Sequence, residues 1–174
     1  MKVRAGFVSN SSSSAFLIAL PHMPKSAEEL KDMMFGDKKV WIGPYMGKHS
    51  TLHTASVLFE VLKDVGKANK KQLREWFEND DGAPHSATWD KPDNMSWDEW
   101  EATKEYKDAL KTYEKDLKTH VATSLAAITN KHKGMSFFII EIGDGGGSGH
   151  ITDGDMEYSK VLWKKIPTIR VSHH

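Results

Sequence analysis

Apolar residues follow two patterns along this chain: short continuous runs near both ends, and helical spacing between them. Residues 15–20 form a continuous apolar run that Pro21 ends, and a run this short favours a buried strand over a helix. Residues 135–142 form a second such run, which predicts a strand at the centre of a sheet. Residues 166–171 predict a last strand. The strands therefore come mainly from the two ends of the chain.

The first helix has both a start signal and a stop signal. Ser26 and Glu29 have the spacing of a capping box, and Gly36 follows the last apolar residue, so we expect a helix over 27–35. A short apolar segment at 40–42 then predicts a second, short strand.

Two further helices are predicted before residue 80. Apolar residues recur every three or four positions over 51–65, and Gly66 lies where a helix C-terminus would be. Residues 70–78 predict the next helix. Its inward residues are Leu73, Trp76 and Phe77.

The strongest helical pattern follows a loop at about 79–95, which we expect to be exposed because it is rich in proline, glycine and aspartate. Ser96 and Glu99 repeat the capping-box spacing, and Gly134 closes the far end. These signals predict one long amphipathic helix over about 97–131. Its apolar stripe consists of Tyr106, Leu110, Tyr113, Leu117, Val121, Leu125 and Ile128.

The length of this helix has a consequence for assembly. At 1.5 Å per residue it spans on the order of 50 Å, whereas a globule of this mass has a radius of gyration of about 15 Å. We therefore expect part of the stripe to pack against another subunit or another protein.

The order of elements predicts an α+β fold. The N- and C-terminal strands form a small sheet, and helices, including the long one, cover it. A chain of 174 residues has the size of one domain, so we expect 1–174 to fold as a single domain.

Composition narrows the classes of partner. The 24 basic and 24 acidic residues give a formal net charge of 0, so we expect no nucleic-acid partner. The absence of cysteine excludes disulfides and thiolate metal sites and is typical of a cytoplasmic protein. No apolar stretch approaches the roughly 20 residues of a membrane span, and the N-terminus leads into serines, not into a hydrophobic signal region. We expect no membrane partner and a cytoplasmic location in the producing cell.

Both ends of the chain resemble a known set of proteins. A short basic segment precedes Gly6-Phe7-Val8-Ser9-Asn10, a serine run and an apolar strand. This order resembles the N-terminal signature of a widespread set of uncharacterised bacterial and bacteriophage proteins. The strand at 138–142, the acidic glycine-containing loop after it and the Ser172-His173-His174 ending resemble the C-terminus of the same set. Ala15 departs from the signature, where a further serine is expected. The resemblance implies a phage or mobile-element origin and no established reaction.

The serine tract lies between two apolar runs, which predicts a loop held in one place. Its backbone amides and hydroxyls would bind an anion such as phosphate, or its serines would be covalently modified. Alternatively, the hydroxyls satisfy the backbone of their own loop. The candidate residues are Ser9, Asn10, Ser11, Ser12, Ser13 and Ser14.

Metal-capable side chains concentrate near the C-terminus. Carboxylate and imidazole ligands suit zinc, manganese or non-haem iron, and they would converge if the closing strand lay beside the strand at 135–142. Otherwise the aspartates beside glycines are turn formers. The glycine-rich stretch 143–149 lacks the lysine of a P-loop and the spacing of the dinucleotide fingerprint, so we interpret it as a connection between strands. The candidate ligands are Asp144, His150, Asp153, Asp155, His173 and His174.

Aromatic residues at the head of the long helix are candidates for contact with a partner. Trp97 and Trp100 follow a polar loop, and Tyr106 and Tyr113 continue along the stripe. Tryptophan combines a large apolar area with a polar edge and is enriched at interfaces. Core packing is the alternative, and it is the stronger interpretation for Trp76.

These observations lead to one preferred function and two alternatives. The preferred hypothesis is a non-enzymatic interaction or assembly protein, phage-encoded, with a virion component as its concrete form; it needs no cofactor, and its partners are itself or other proteins of a larger assembly. The first alternative is a hydrolase-like enzyme that uses a divalent metal bound by the Asp/His-rich C-terminal region. The second is a protein whose serine tract is modified or binds phosphate. No complete catalytic motif is present, which favours the first hypothesis.

Overall fold

The structure is a computed structural model, and it describes residues 13–43, 47–80, 82–143 and 168–173. They divide into two compact units: a first unit with the residues up to Asn69 and from His132 onward, and a second unit, Lys70–Lys131. The strands are β1 (Ser13–Leu20), β2 (Val40–Gly43), β3 (Gly47–Ser50), β4 (Ser136–Gly143) and β5 (Thr168–His173). The α-helices are α1 (Ala27–Phe35), α2 (Thr51–Val65), α3 (Lys70–Asn79), α4 (Trp97–Ala102) and α5 (Lys104–Lys131), and a 3₁₀ turn covers Ala87–Trp89.

Strand β1 is the middle strand of a three-stranded antiparallel sheet in the order β4, β1, β5. Ser14 lies opposite Ile142 of β4 on one side and opposite His173 of β5 on the other. The prediction of an α+β fold with a small sheet from the two ends of the chain is therefore confirmed. β1 begins at Ser13, two residues before the predicted start.

The position of β4 differs from the prediction of a central strand. β4 lies at one edge of the described sheet, because β1 separates it from β5. Phe137, Phe138 and Ile140 of β4 are nevertheless all buried, so the strand is covered on both faces and its sequence is continuously apolar. A continuous apolar sequence shows that both faces of a strand are buried. It does not show whether the strand has neighbours on both sides or lies at the edge of the sheet. The amide of Ala68 donates a 2.8 Å hydrogen bond to the Phe137 carbonyl, which covers part of the outer edge.

The core of the first unit lies between one face of the sheet and helices α1 and α2. Phe16, Ile18 and Leu20 point from β1 into this core, and each is at most 3% exposed. Strand β4 adds Phe138 and Ile140. The other members are Leu30, Met34 and Phe35 of α1, Ala55, Leu58 and Leu62 of α2, and Trp41 of β2.

Helices α1 and α2 end where the sequence predicts. Gly36 and Gly66 follow them with φ of 59° and 64°, a conformation that favours glycine. At the start of α1 the Ser26 hydroxyl accepts the Glu29 amide at 3.3 Å. The Glu29 carboxylate does not complete the predicted capping box on Ser26; it accepts the amide of Lys25 instead.

The antiparallel β2–β3 pair was only half predicted, because β3 has no apolar alternation. Two side-chain hydrogen bonds connect α2 to β2 and to the residues just before it. The Trp41 indole donates to the Thr54 hydroxyl at 2.8 Å, and the Thr51 hydroxyl donates to the Lys38 carbonyl at 2.6 Å. His49 of β3 stacks on Trp41 with ring centroids 4.5 Å apart.

In the second unit the predicted helix over 97–131 is interrupted at one residue. Thr103 has extended backbone angles (φ −68°, ψ 159°) and separates α4 from α5. Its hydroxyl accepts the Tyr106 amide at 3.1 Å, so Thr103 caps the N-terminus of α5. Threonine competes with the helix in this way because its short side chain satisfies a free amide of the first turn.

The apolar stripe of α5 is placed as predicted but is incompletely covered. Val121 and Ile128 are its buried members, whereas Leu110, Tyr113 and Leu117 are half-buried. Among the described residues no helix is long and apolar enough to cross a membrane.

Helix α3 matches the prediction in both extent and orientation. Leu73, Trp76 and Phe77 are its buried residues, and the helix packs against α5. This packing forms the centre of the second unit.

Two leucines of α2 test the assignment of the core. Leu62 is 1% exposed and Leu52 is 44% exposed. We expect Leu62→Ala to lower the free energy of unfolding by about 2–5 kcal/mol, because it leaves a cavity. Leu52→Ala in the same helix serves as the control and should change it by at most about 0.5 kcal/mol. Urea titration followed by circular dichroism measures both, and equal effects would contradict the core described above.

Candidate interaction surface

Trp100 ties the loop before α4 to the head of α5. It is buried at 9% exposure, and its indole donates a 2.9 Å hydrogen bond to the Thr88 carbonyl. Its ring meets Tyr106 edge to face with centroids 6.0 Å apart. One side chain thus joins the 3₁₀ turn, α4 and α5.

Two other tryptophans remain exposed next to this anchor. Trp89 follows Thr88 directly and is 61% exposed, and Trp97 lies one helical turn before Trp100 and is 48% exposed. Between them in sequence, the Lys91 ammonium lies over the Trp97 ring, 5.7 Å from its centroid. We call Trp89, Lys91 and Trp97 the tryptophan ridge.

The ridge is held by hydrogen bonds within its own loop. Lys91 Nζ donates to the carbonyl oxygens of Pro92 at 2.9 Å and of Met95 at 2.6 Å. In the 3₁₀ turn, the Trp89 amide donates to the Ser86 carbonyl at 3.1 Å. The backbone on both sides of the ridge is therefore fixed although its rings face solvent.

A complete capping box fixes the start of α4. The Ser96 hydroxyl accepts the Glu99 amide at 3.3 Å, and the Ser96 amide donates to the Glu99 carboxylate at 2.8 Å. The Ser96 amide and then the Ser96 hydroxyl, as donors to the carboxylate, lower the pKa of Glu99 below its usual value. The predicted capping box at this position is therefore present, and it orients the turn that carries Trp97.

The segment that carries the ridge is acidic in sequence. Between residues 89 and 101 there are five carboxylates against one ammonium, that of Lys91. All five acidic residues are exposed: Asp90, Asp93, Asp98, Glu99 and Glu101. Exposed aromatic rings among carboxylates form a surface that can bind apolar and cationic groups by burial, charge attraction and cation–π contact.

A hydrogen bond between a buried aspartate and a partly buried histidine closes the other end of this loop. Asp80 Oδ1 lies 3.2 Å from His120 Nε2 of α5, and the Asp80 side chain is only 1% exposed. The same oxygen accepts the Gly82 amide at 2.9 Å, and the Phe77 ring meets the His120 ring edge to face. Asp80 therefore fixes the exit from α3 against α5.

The four predicted interface residues differ in their exposure to solvent. Trp97 is half-exposed, as a partner contact requires, whereas Trp100 is buried inside its own chain because its indole bonds to Thr88. Tyr106 and Tyr113 are half-buried. Trp89 was not predicted to be an interface residue, but it is 61% exposed. The sequence does contain a signal for this exposure. Trp89 lies among turn-forming residues, and a tryptophan in a polar loop has few apolar side chains nearby to pack against.

The serine-tract prediction lies largely outside the described residues. This is true of Ser9, Asn10, Ser11 and Ser12, whereas Ser13 and Ser14 are strand residues of β1. Anion binding and modification of the tract stay predictions.

The predicted metal ligands also lie largely outside the described part of the chain. Of the six, only His173 belongs to it, as a residue of β5; Asp144, His150, Asp153, Asp155 and His174 do not. The condition for convergence, β5 beside β4, is not met, because β1 lies between them. Two strand spacings put these backbones roughly 10 Å apart. Within the described ranges, no group of three or more His, Asp or Glu residues could hold a metal ion.

The Ser96–Glu99 box predicts a pH effect with a definite sign. Because the folded pKa of Glu99 is lowered, the box stabilises α4 at pH values above the usual carboxyl pKa, and this stabilisation is lost as the pH falls through the lowered pKa. Ser96→Ala removes the hydroxyl donor, so we expect the pKa of Glu99 to rise toward its usual value in an NMR titration of the carboxylates. Ser56→Ala, in α2, is the control and should leave it unchanged. An unaltered pKa in Ser96→Ala would show that the hydroxyl contributes nothing.

The two Asp–His pairs of the second unit provide a matched test of burial. Asp80→Ala should lower the free energy of unfolding by about 1–3 kcal/mol, because it removes a buried acceptor and leaves the His120 ring and the Gly82 amide, which are part-buried donors, without their partner. Asp90 lies 3.7 Å from His85, and both side chains are more than half exposed. Asp90→Ala should therefore change stability by at most about 0.5 kcal/mol. Urea unfolding measures both variants, and a neutral Asp80→Ala would contradict the structural role of the buried pair.

Comparisons of the chain with protein-family models, with curated proteins and with solved structures give no match. The geometry of the ridge and of α5 is therefore the basis for a functional proposal.

Proposed function

We propose that this protein is a non-enzymatic interaction protein that assembles with copies of itself or with other proteins of a larger particle. The observation that carries the proposal is the tryptophan ridge, with two large aromatic side chains exposed on a hydrogen-bonded loop. Large exposed aromatic residues are uncommon on a surface that stays in water, and tryptophan is among the residues that contribute most to interfaces.

The construction of the loop favours binding. A flexible segment loses conformational entropy when a partner orders it, and this loss weakens association. Lys91 and the caps at Ser86 and Ser96 hold the ridge in place before any partner arrives. Most of the free energy of burying the two rings then remains available for affinity.

The stripe of α5 supports the same proposal. The helix spans about 42 Å at 1.5 Å per residue, whereas the α3 helix that packs on it spans about 15 Å. Leu110, Tyr113 and Leu117 consequently keep part of their apolar surface in solvent. A partner that covered this surface would gain roughly 25 cal/mol for each Å² that it removed from water.

The resemblance of the two chain ends to a set of bacterial and bacteriophage proteins gives the proposal its concrete form. A component of a virion has to bind neighbouring copies or neighbouring structural proteins, and it needs no active site. We therefore propose that the protein is phage-encoded, is made in the cytoplasm of the producing cell and is carried into the virion.

The ridge is tested by truncating its two exposed rings. We expect Trp89→Ala together with Trp97→Ala to weaken self-association, or binding to a structural protein of the particle, at least about tenfold, as loss of interface anchors does. Sedimentation velocity and mass photometry measure the oligomeric state, and mass spectrometry of purified virions measures incorporation.

A matched control comes from an exposed apolar residue of the first unit. Ile42 is 74% exposed on β2, and Ile42→Ala should leave assembly unchanged. Circular dichroism should show that all variants remain folded, since none of these side chains is buried. A wild-type protein that is strictly monomeric at high micromolar concentration and is absent from virions would contradict the proposed function.

A further inference from the structure

The second unit also carries a surface of the opposite charge. Lys70, Lys71 and Arg74 lie within the first five positions of α3, which contain no acidic residue, and all three are exposed. They are spaced by one, three and four residues, so they share one side of the helix. We call these three residues the basic face. Lys71 Nζ lies 3.6 Å from the carboxylate of Glu75, the next residue of the helix, in an exposed ion pair, so the face keeps a net positive charge from Lys70 and Arg74.

Contacts with α5 place the ridge and the helix that carries the basic face at different points of the second unit. Trp100, the anchor of the ridge, meets Tyr106 near the start of α5. Phe77 of α3 meets His120, which lies 14 residues further along the same helix, or about 21 Å. The anchor of the ridge and the Phe77 contact of α3 therefore lie on separate parts of α5.

We infer that the tryptophan ridge of one copy binds the basic face of a second copy, in a head-to-tail contact. This inference rests on the proposed function and names its partner. Four observations carry it: the net negative charge of the segment that carries the ridge, the net positive charge of the basic face, the exposed indole rings, and the presence of both surfaces in one chain whose total charge is zero.

The chemistry of the ridge suits lysine and arginine. The ring of Trp97 already accepts one ammonium, that of Lys91, and the 61% exposed ring of Trp89 offers a second indole to an incoming cation. Arginine stacks on such rings while its guanidinium also pairs with carboxylates. Asp90, Asp93 and Glu101 are exposed carboxylates close in sequence to these rings.

When two copies join through two different surfaces, the pair still has one free tryptophan ridge on one copy and one free basic face on the other. Further copies can therefore add, and the product is a closed ring if the rotation between neighbours closes and a filament if it does not. This is the kind of growth that a component of a particle needs.

Charge exchange tests the contact. The ridge variant carries Asp90→Lys, Asp93→Lys and Glu101→Lys, and the helix variant carries Lys70→Glu, Lys71→Glu and Arg74→Glu. Each variant alone should self-associate at least about tenfold more weakly than wild type, because like charges then face one another. The six changes combined in one chain should restore association. A mixture of the two variants should also co-assemble, since each offers the surface that the other lacks.

The possible results distinguish a failure of the head-to-tail contact from a failure of the proposed function. Sedimentation velocity at low and high salt measures association, which should fall with added salt. Suppose that wild type oligomerises and that neither charge-exchanged variant, nor the chain with all six changes, associates differently from it. This result would overturn the head-to-tail contact and leave the proposed function standing. Wild type that stays monomeric but binds a poly-lysine peptide through the ridge would assign the ridge to a different basic protein, which also overturns self-assembly. Wild type that neither self-associates nor enters virions would overturn both.

Circular dichroism verifies that the variants are folded. The changed side chains are all exposed, and glutamates in the first turns of α3 agree with the helix dipole. A second variant, Lys70→Ala with Arg74→Ala, removes two positive charges without reversing them and should also weaken the contact. If both this variant and the helix variant associate as strongly as wild type, the contact is overturned.

Discussion

The insertion of β1 between β4 and β5 is the constraint on which the first unit depends. β1 supplies backbone hydrogen bonds on both of its edges, to strands that follow it in the chain by more than a hundred residues. Phe16, Leu17, Ala19 and Leu20 have no measurable exposure, so the strand is covered on both faces as well. No other strand of the described sheet has neighbours on both sides. The ends of the chain must therefore meet before this core can form, and this loop closure costs conformational entropy that the apolar burial has to exceed.

The second unit is built on a different principle. Its helices pack along α5, but the segment between α3 and α4 is fixed mainly by specific polar contacts. Asp80 holds one end of this segment on His120, and Trp100 holds the other on Thr88. Such contacts contribute modestly to net stability, yet they define one conformation because a buried donor or acceptor without its partner is costly. The exposed tryptophans lie on this hydrogen-bonded segment, which is the basis for proposing them as binding residues.

Sequence patterns predicted the elements well where the signal was local. The caps at Ser26 and Ser96 and the terminating glycines predicted helix ends to within a residue or two, because each depends on side chains a few positions apart. The order of the strands in the sheet was harder to predict. A continuous apolar run such as that of β4 indicates that both faces of the strand are buried, but it does not indicate which strands lie beside it. Thr103 interrupted a helix whose apolar periodicity continued past it.

The candidate surface was harder to predict than the fold for the same physical reason. The Asp80–His120 pair joins residues 40 positions apart, and no local spacing indicates it. The sequence identified Trp97 and Trp100 as a pair of interface residues, but only a contact with Thr88 decides which of them turns inward.

The placement of both charged surfaces in the second unit gives the proposed assembly a simple geometry. The tryptophan ridge and α3 are both positioned by α5, through Tyr106 and His120 respectively, so one helix sets where each meets the next copy. A helix of this kind behaves as a stiff spacer, whereas a loop between the two surfaces would let their separation vary. Because stiff spacing leaves few ways for copies to join, it favours a regular array over an irregular cluster.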